Sequence, residues 1–263
     1  QSLPYGIAMS RRTCWRFFPL LAIWLLLPLS NAYAGNLTLA VAANFTDTTA
    51  SLVETFETAT GHQVTASFGS TGKLYAQIRN GAPFDVFMAA DAQRPQLLES
   101  EGMAVPGSRF TYARGKLVLW SPETAAFISP IAYLNEQPFS RLAIANPKTA
   151  PYGLAAQQVL EHLELWSPLQ PKLVRGDSIA QTFQFIASGN AQAGLVALAQ
   201  VKAWPDQDGT LWRIPQSYYA PIDQQAILLK RGADNTAARD WLAFLQSPDA
   251  VAIIQGYGYD TAD

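Results

Sequence analysis

Four short stretches of the chain combine hydroxyl, amide and small residues where a strand-like run passes into a helix-like one. They are Ala43-Asn44, Gly69-Ser70-Thr71-Gly72, Pro151-Tyr152-Gly153 and Asp177-Ser178-Ile179. The first turn of a helix leaves N–H groups without intrahelical partners and carries roughly half a positive charge, so it attracts anions. Small residues let the backbone approach a ligand closely, and Asn44, Ser70, Thr71 and Tyr152 add side-chain donors. Four such ends facing one cleft would suit a small dianion with no Lys or Arg in contact; Lys73 is the only cation near a junction. Each junction alone has an ordinary reading: Asn44 as the N-cap of its helix, Ser70-Thr71 as a plain helix start, Tyr152 as a packed aromatic. The coincidence of four is what points to a site.

Other chemistries lack the residues they need. GSTGK resembles a phosphate-binding P-loop, but Ser67 stands where its first glycine belongs and Leu74 follows the lysine in place of Ser or Thr. No G-x-S-x-G nucleophile elbow and no H-E-x-x-H zinc motif occurs. The two histidines, His62 and His162, fall at a helix end and within a helix, and read as solvated surface residues. Asp206 and Asp208 supply only two carboxylates, short of the roughly six to eight oxygens that Ca²⁺ takes. The single cysteine, Cys14, lies in the N-terminal segment, which excludes disulfides and thiolate sites from the rest. The reading is of a binding protein with no cofactor, and not of an enzyme.

The elements that must position these junctions alternate between β-rich runs and helical periodicity, the grammar of a parallel sheet with crossover helices. Strands are expected at 37–43, 63–68, 84–89, 116–120, 141–145, 172–175, 194–198 and 225–230. Helices are expected at about 45–59 (capped by Asn44, with Asp47 three residues on), 73–79, 94–101, 154–165, 178–187, 235–246 and in SPDAVAIIQ. The fold class is α/β with two lobes, each a mostly parallel sheet flanked by helices, and the ligand in the cleft between them. Lobe 1 would comprise 36–115 plus 223–263 and lobe 2 would comprise 116–222, so the chain crosses between lobes twice.

Residues 1–34 carry Arg11, Arg12 and Arg16, then the apolar run Phe17 to Leu29, then Ala32-Tyr33-Ala34: a cleavable secretory signal peptide, with translation starting at Met9 and a mature chain from Gly35. The run is too short and too interrupted by Pro19 and Pro28 for a membrane span. With 18 Lys+Arg against 20 Asp+Glu, no basic stripe argues for nucleic acid.

VAANFTDT, SFGSTGKLYAQIRNGAPFDVFMAAD, ANPKTAPYGLAA and the terminal SPDAVAIIQGYGY resemble the periplasmic molybdate-binding proteins of molybdate ABC transporters, class II binding proteins. The resemblance spans essentially the whole mature chain. It implies a periplasmic monomer that takes molybdate or tungstate on neutral donors from both lobes and hands it to an inner-membrane ABC permease. Carried over by position, the oxyanion would be held by Asn44 with Ala43 beside it, by Thr71 with Ser70 as neighbour, by Tyr152 and by the backbone of Ile179. Two positions depart from one common pattern of the family: Asn44 replaces a serine, and Ala197 replaces a tyrosine whose hydroxyl Tyr152 would supply instead. Sulfate and phosphate are the alternative ligands, with Asp47 and Asp177 as carboxylates near the junctions that read as helix-start charges favoured by the dipole. A secreted interaction module would explain none of the four junctions.

Overall fold

The structure, a computed structural model, describes residues 34–206 and 209–261. The expected signal peptide, its Met9 start and Cys14 therefore lie outside the described residues, as does Asp208. Strand β1 (Asn36–Ala42) leads through a short 3-10 turn into helix α1 (Thr46–Thr60), then come β2 (Gln63–Gly69), α2 (Thr71–Arg79), β3 (Val86–Met88) and α3 (Gln93–Ser100). β4 (Phe110–Gly115) runs almost directly into β5 (Leu117–Ser121), followed by α4 (Pro130–Glu136), β6 (Leu142–Ala145), α5 (Pro151–His162), α6 (Trp166–Leu169), β7 (Leu173–Gly176) and α7 (Ile179–Ala187). The rest is β8 (Ala193–Ala197), α8 (Leu198–Ala203), β9 (Thr210–Arg213), β10 (Ile222–Leu228), α9 (Thr236–Leu245) and α10 (Pro248–Gly256).

These strands form two five-stranded sheets, ordered β2-β1-β3-β10-β4 and β7-β6-β8-β5-β9. In each, parallel ladders carry the junctions and antiparallel ladders complete the sheet: β1 pairs parallel with β2 and β3, β6 pairs parallel with β7 and β8, while β10 and β5 run antiparallel to their neighbours. In each sheet four strands thus point the same way and one, β10 or β5, runs against them, a mostly parallel sheet as expected. The edge strands β4 and β9, and helices α4, α6 and α8, are elements that the sequence reading leaves unassigned.

Register decides what meets at the carboxyl ends. Ala42 lies opposite Gly69, so Ala43-Asn44 and Ser70-Thr71 emerge side by side. Ala145 lies opposite Gly176, which sets the loop before α5 beside Ser178-Ile179 in the same way. Ligands of open α/β sheets gather at these ends.

Helix α1 ends as its sequence implies: Gly61 takes a left-handed conformation (φ 74°) and its N–H donates to the Glu57 carbonyl at 2.8 Å. Its start differs. Asn44 belongs to the 3-10 turn Ala43–Phe45 and its side chain caps nothing; Phe45 precedes α1 without a side-chain cap, while Asp47 sits in the first turn as expected. Beneath the first sheet Phe45, Leu52, Phe56 and Trp241 are fully buried, and in the second Trp120 stacks on Phe183 with ring centroids 4.7 Å apart. His62 is not solvated: it is 4% exposed, accepts the Gly35 N–H on Nδ1 at 2.9 Å and places Nε2 2.9 Å from Asp240. The tie between a strand start and α9 explains its burial. His162 is exposed, stacked on Tyr218. No helix among the described residues is long and apolar enough to cross a membrane, and none of their His, Cys, Asp and Glu side chains cluster as a metal site.

Candidate functional site

The six expected site residues, Ala43, Asn44, Ser70, Thr71, Tyr152 and Ile179, line one small opening between the two sheets. Ala42, Gly69, Ala90, Ala150 and Pro151 complete the wall, so no charged side chain contributes to it. α2, α5 and α7 all point their N-termini here. Thr71 and Ile179 are the first residues of their helices and Tyr152 is the second residue of its own, after Pro151; their N–H groups lie in the orphan first turn. Asn44 stands likewise in the first turn of the 3-10 segment. Converging helix starts with uncharged walls make a positive potential without a cation, the physical requirement for binding a dianion in a dry place.

The side chains divide into two kinds. Ser70 is the N-cap residue of α2, yet its hydroxyl makes no capping bond, and its Oγ is buried with no partner in the protein. Buried hydroxyls are rarely left so. Thr71 Oγ1 accepts the Ala90 N–H at 3.0 Å, which leaves its own proton to donate. Ser70 and Thr71 are thus hydroxyls with a hydrogen bond to give.

Asn44 and Tyr152 are engaged elsewhere. The Asn44 amide donates from Nδ2 to Gln224 Oε1 at 2.6 Å and to the Tyr259 hydroxyl at 2.9 Å, and Tyr259 in turn donates to the Asn44 carbonyl at 2.9 Å. The Tyr152 hydroxyl lies 3.5 Å from Asn44 Nδ2 and fills the space where a Cβ on Gly115 would be, 2.1 Å from that position. It turns to the strand end next to the β4–β5 crossing and to a polar network across the two halves, where it accepts from the Asn44 amide. Burial raises the Tyr152 phenol well above its ordinary range, and raises Tyr259 strongly too, so both stay neutral.

Two positions around the site escape the sequence reading. Gln224 is fully buried at a register shift between Gln224 and Gln225 in β10, an irregularity of the kind that re-aims side chains. Gln200 accepts the Ala197 N–H at 3.1 Å and donates to the Ile179 carbonyl at 3.0 Å, which fixes the start of α7. Ala197 itself is fully buried at the end of β8 and is not part of the cavity wall. Neither glutamine sits in a patterned motif; only the terminal GYGY, which contains Tyr259, marks that part of the network in the sequence. Asp177, read as a helix-start charge, precedes the N-cap Ser178 and pairs instead with Lys73 at 2.9 Å.

The model of the bacterial extracellular solute-binding proteins matches residues 37–260. The molybdate-binding protein ModA of Azotobacter vinelandii is 51% identical over 229 residues, 87% of this chain and 91% of that protein. Its counterpart in Rhodobacter capsulatus is 49% identical over 230 residues, 88% and 90% of the two chains. The solved periplasmic molybdate-binding protein of Azotobacter vinelandii superposes with a TM-score of 0.83 at 43% identity, covering 86% of this chain and 100% of that one. With likeness of this extent in sequence, fold and the convergence of helix starts, the chain belongs to the bacterial extracellular solute-binding proteins and, among them, to the molybdate-binding proteins.

Proposed function

We propose that the chain captures molybdate or tungstate in the cavity between its two sheets and delivers it to the permease of an ABC transporter. The observation that carries this reading is the buried, unpartnered Ser70 Oγ in a cavity wall that holds helix starts and no charged side chain. The anion would accept from the hydroxyls of Ser70 and Thr71 and from the N–H groups of Asn44, Tyr152 and Ile179, with Ala43 small enough to let the backbone approach. Asn44 and Tyr152 then contribute through the main chain, while their side chains join the two halves.

The wall favours a fully deprotonated oxyanion. Hydrogenphosphate must donate a proton and would need a carboxylate acceptor; Asp177 is paired with Lys73 at 2.9 Å, and Asp47 is exposed outside the lining. Sulfate offers the same acceptors as molybdate on a smaller body, so size has to separate them. The lobes are 36–115 with 223–263, and 116–222; the chain crosses at Lys116 and again between Arg213 and Ile222. Hinge motion at these crossings opens the cleft, and the anion favours the closed form through its higher affinity for it. That difference is also what the permease reads. The protein acts as a periplasmic monomer exported by the signal peptide at 1–34, and no covalent step is involved.

Scavenging calls for a Kd of about 1 μM or tighter, roughly −8 kcal/mol, which several charge-assisted hydrogen bonds in a dry cleft supply. Calorimetry on the purified mature protein with molybdate, tungstate, sulfate and phosphate at equal concentration tests the reading. Tight, near-equal binding of molybdate and tungstate is expected. Binding of phosphate alone, or of none of the four, would overturn it.

A further inference from the structure

Gly72 is the second residue of α2 and touches the other half of the molecule. Its N–H donates to the Thr149 carbonyl at 2.8 Å, a backbone bond from the start of α2 to the loop before α5. A Cβ at Gly72 would stand 3.0 Å from both Cα and O of Thr149. Gly72 does not occupy the left-handed region, so its backbone does not require glycine; only the space does. The two nearest atoms that a Cβ would meet are main-chain atoms of Thr149, which no rotamer change can clear; the third, Arg94 Nη2 at 3.2 Å, is the end of a flexible side chain. Two further contacts cross at the same place: Lys73 to Asp177 at 2.9 Å, between exposed side chains, and Arg94 Nη2 to the Lys148 carbonyl at 3.2 Å.

We infer that the Gly72–Thr149 backbone contact is the stop that sets how far the two halves close, and that it thereby fixes the cavity size and the preference for larger tetrahedral oxyanions over sulfate. The helix starts on either side of the cavity, Thr71 on one and Tyr152 on the other, lie one and three residues from this contact. In the closed form their separation is held by a main-chain hydrogen bond of normal length. Molybdate and tungstate fill the gap at that separation and accept from both sides. Sulfate, with its shorter bonds, cannot draw the halves closer, because Gly72 and Thr149 already touch; it accepts fully from one side and leaves donors on the other unpaired, and unpaired buried donors are what a polar site rejects most strongly. Glycine gives the closest approach available at this position, so any other residue widens the gap.

This inference rests on the oxyanion reading above, and one experiment separates the two. Titration calorimetry with molybdate and with sulfate is run on the parent protein and on Gly72→Ala, together with the melting temperature of each without ligand. Molybdate binding should fall by about tenfold or more in Gly72→Ala while weak sulfate binding changes by less than about twofold, so the selectivity ratio collapses. Gly72→Val should lower it further. Lys73→Ala, which removes an exposed side-chain contact and leaves the backbone stop in place, should keep the parent ratio. Equal loss for both anions, an unchanged ratio in Gly72→Ala and Gly72→Val, or a ratio that collapses in Lys73→Ala would overturn the stop. Failure of the parent protein to bind molybdate would overturn the functional reading itself.

Discussion

Replacing Ser70 with alanine should move stability and affinity in opposite directions. In the ligand-free protein Ser70 Oγ is buried without a hydrogen-bond partner and caps no N–H of α2. An unsatisfied buried polar group costs about 1–3 kcal/mol, so its removal relieves a penalty instead of breaking a bond. The methyl group that remains fits where the seryl Cβ already sits, so no cavity larger than one hydroxyl is left. The thermal midpoint of the ligand-free protein should therefore hold or rise. With molybdate present the same hydroxyl donates to a charged acceptor, a bond worth about 1.5–3 kcal/mol, so Kd should rise by about 10- to 150-fold. Differential scanning fluorimetry without ligand and titration calorimetry with molybdate read the two effects separately. A ligand-free midpoint that falls by several degrees with molybdate affinity unchanged would mean that Ser70 is an ordinary structural cap, and would refute this reasoning.

Tyr152→Phe removes a hydroxyl that faces Asn44 and Gly115 and keeps the N–H at the cavity, so molybdate affinity should weaken by only about 0.5–1.5 kcal/mol; a calorimetric loss above about 3 kcal/mol would assign the hydroxyl to the anion. Gly115→Ala sets a Cβ into the space of that same hydroxyl, and should cost both stability and affinity in parallel thermal and binding measurements. Gln200→Leu strips the Ala197 N–H and the Ile179 carbonyl of their partner, and should weaken molybdate binding by about 1–3 kcal/mol through a misplaced α7 start, with little effect in a Gln200→Glu, Ile179→Ala comparison beyond that of Gln200 alone. Burial raises the phenols of Tyr112, Tyr152 and Tyr259 above their ordinary value of 10.0. These groups stay protonated when folded and ionise when unfolded, so their contribution to stability is complete below pH 10 and is lost as pH rises beyond it. Tyr152→Phe should blunt that alkaline loss in pH-dependent unfolding.

The sequence made most strands legible, the antiparallel β10 and β5 among them, and left the edge strands β4 and β9 illegible. β1, β2 and β7 run within two residues into helix starts and β6 reaches α5 through a short loop, and the β1–β2 register carries Ala43-Asn44 beside Ser70-Thr71. β4, with Arg114 exposed, and β9, an edge strand with alternating half-exposed residues, lack a continuous apolar run; long-range pairing with β10 and β5 makes them strands. The junction residues were visible because helix starts have local chemistry. What each side chain does was not, because the partners of Asn44 lie 180 and 215 residues away at Gln224 and Tyr259. Asn44 has the right residue type for an N-cap, and tertiary hydrogen bonding overrides that local preference. His62 shows the same limit: its tie to Asp240 spans 178 residues.

The central claim is that converging helix starts and two hydroxyls, without any cation in contact, hold a tetrahedral dianion. The most direct measurement is a crystal structure of the purified mature protein soaked with molybdate, read by the anomalous signal of the metal. The account predicts one metal peak between the starts of α2, α5 and α7, with oxygens within hydrogen-bond distance of Ser70 Oγ, Thr71 Oγ1 and the N–H groups of Tyr152 and Ile179. A peak anywhere else, or one ringed by lysine and arginine side chains, would contradict it.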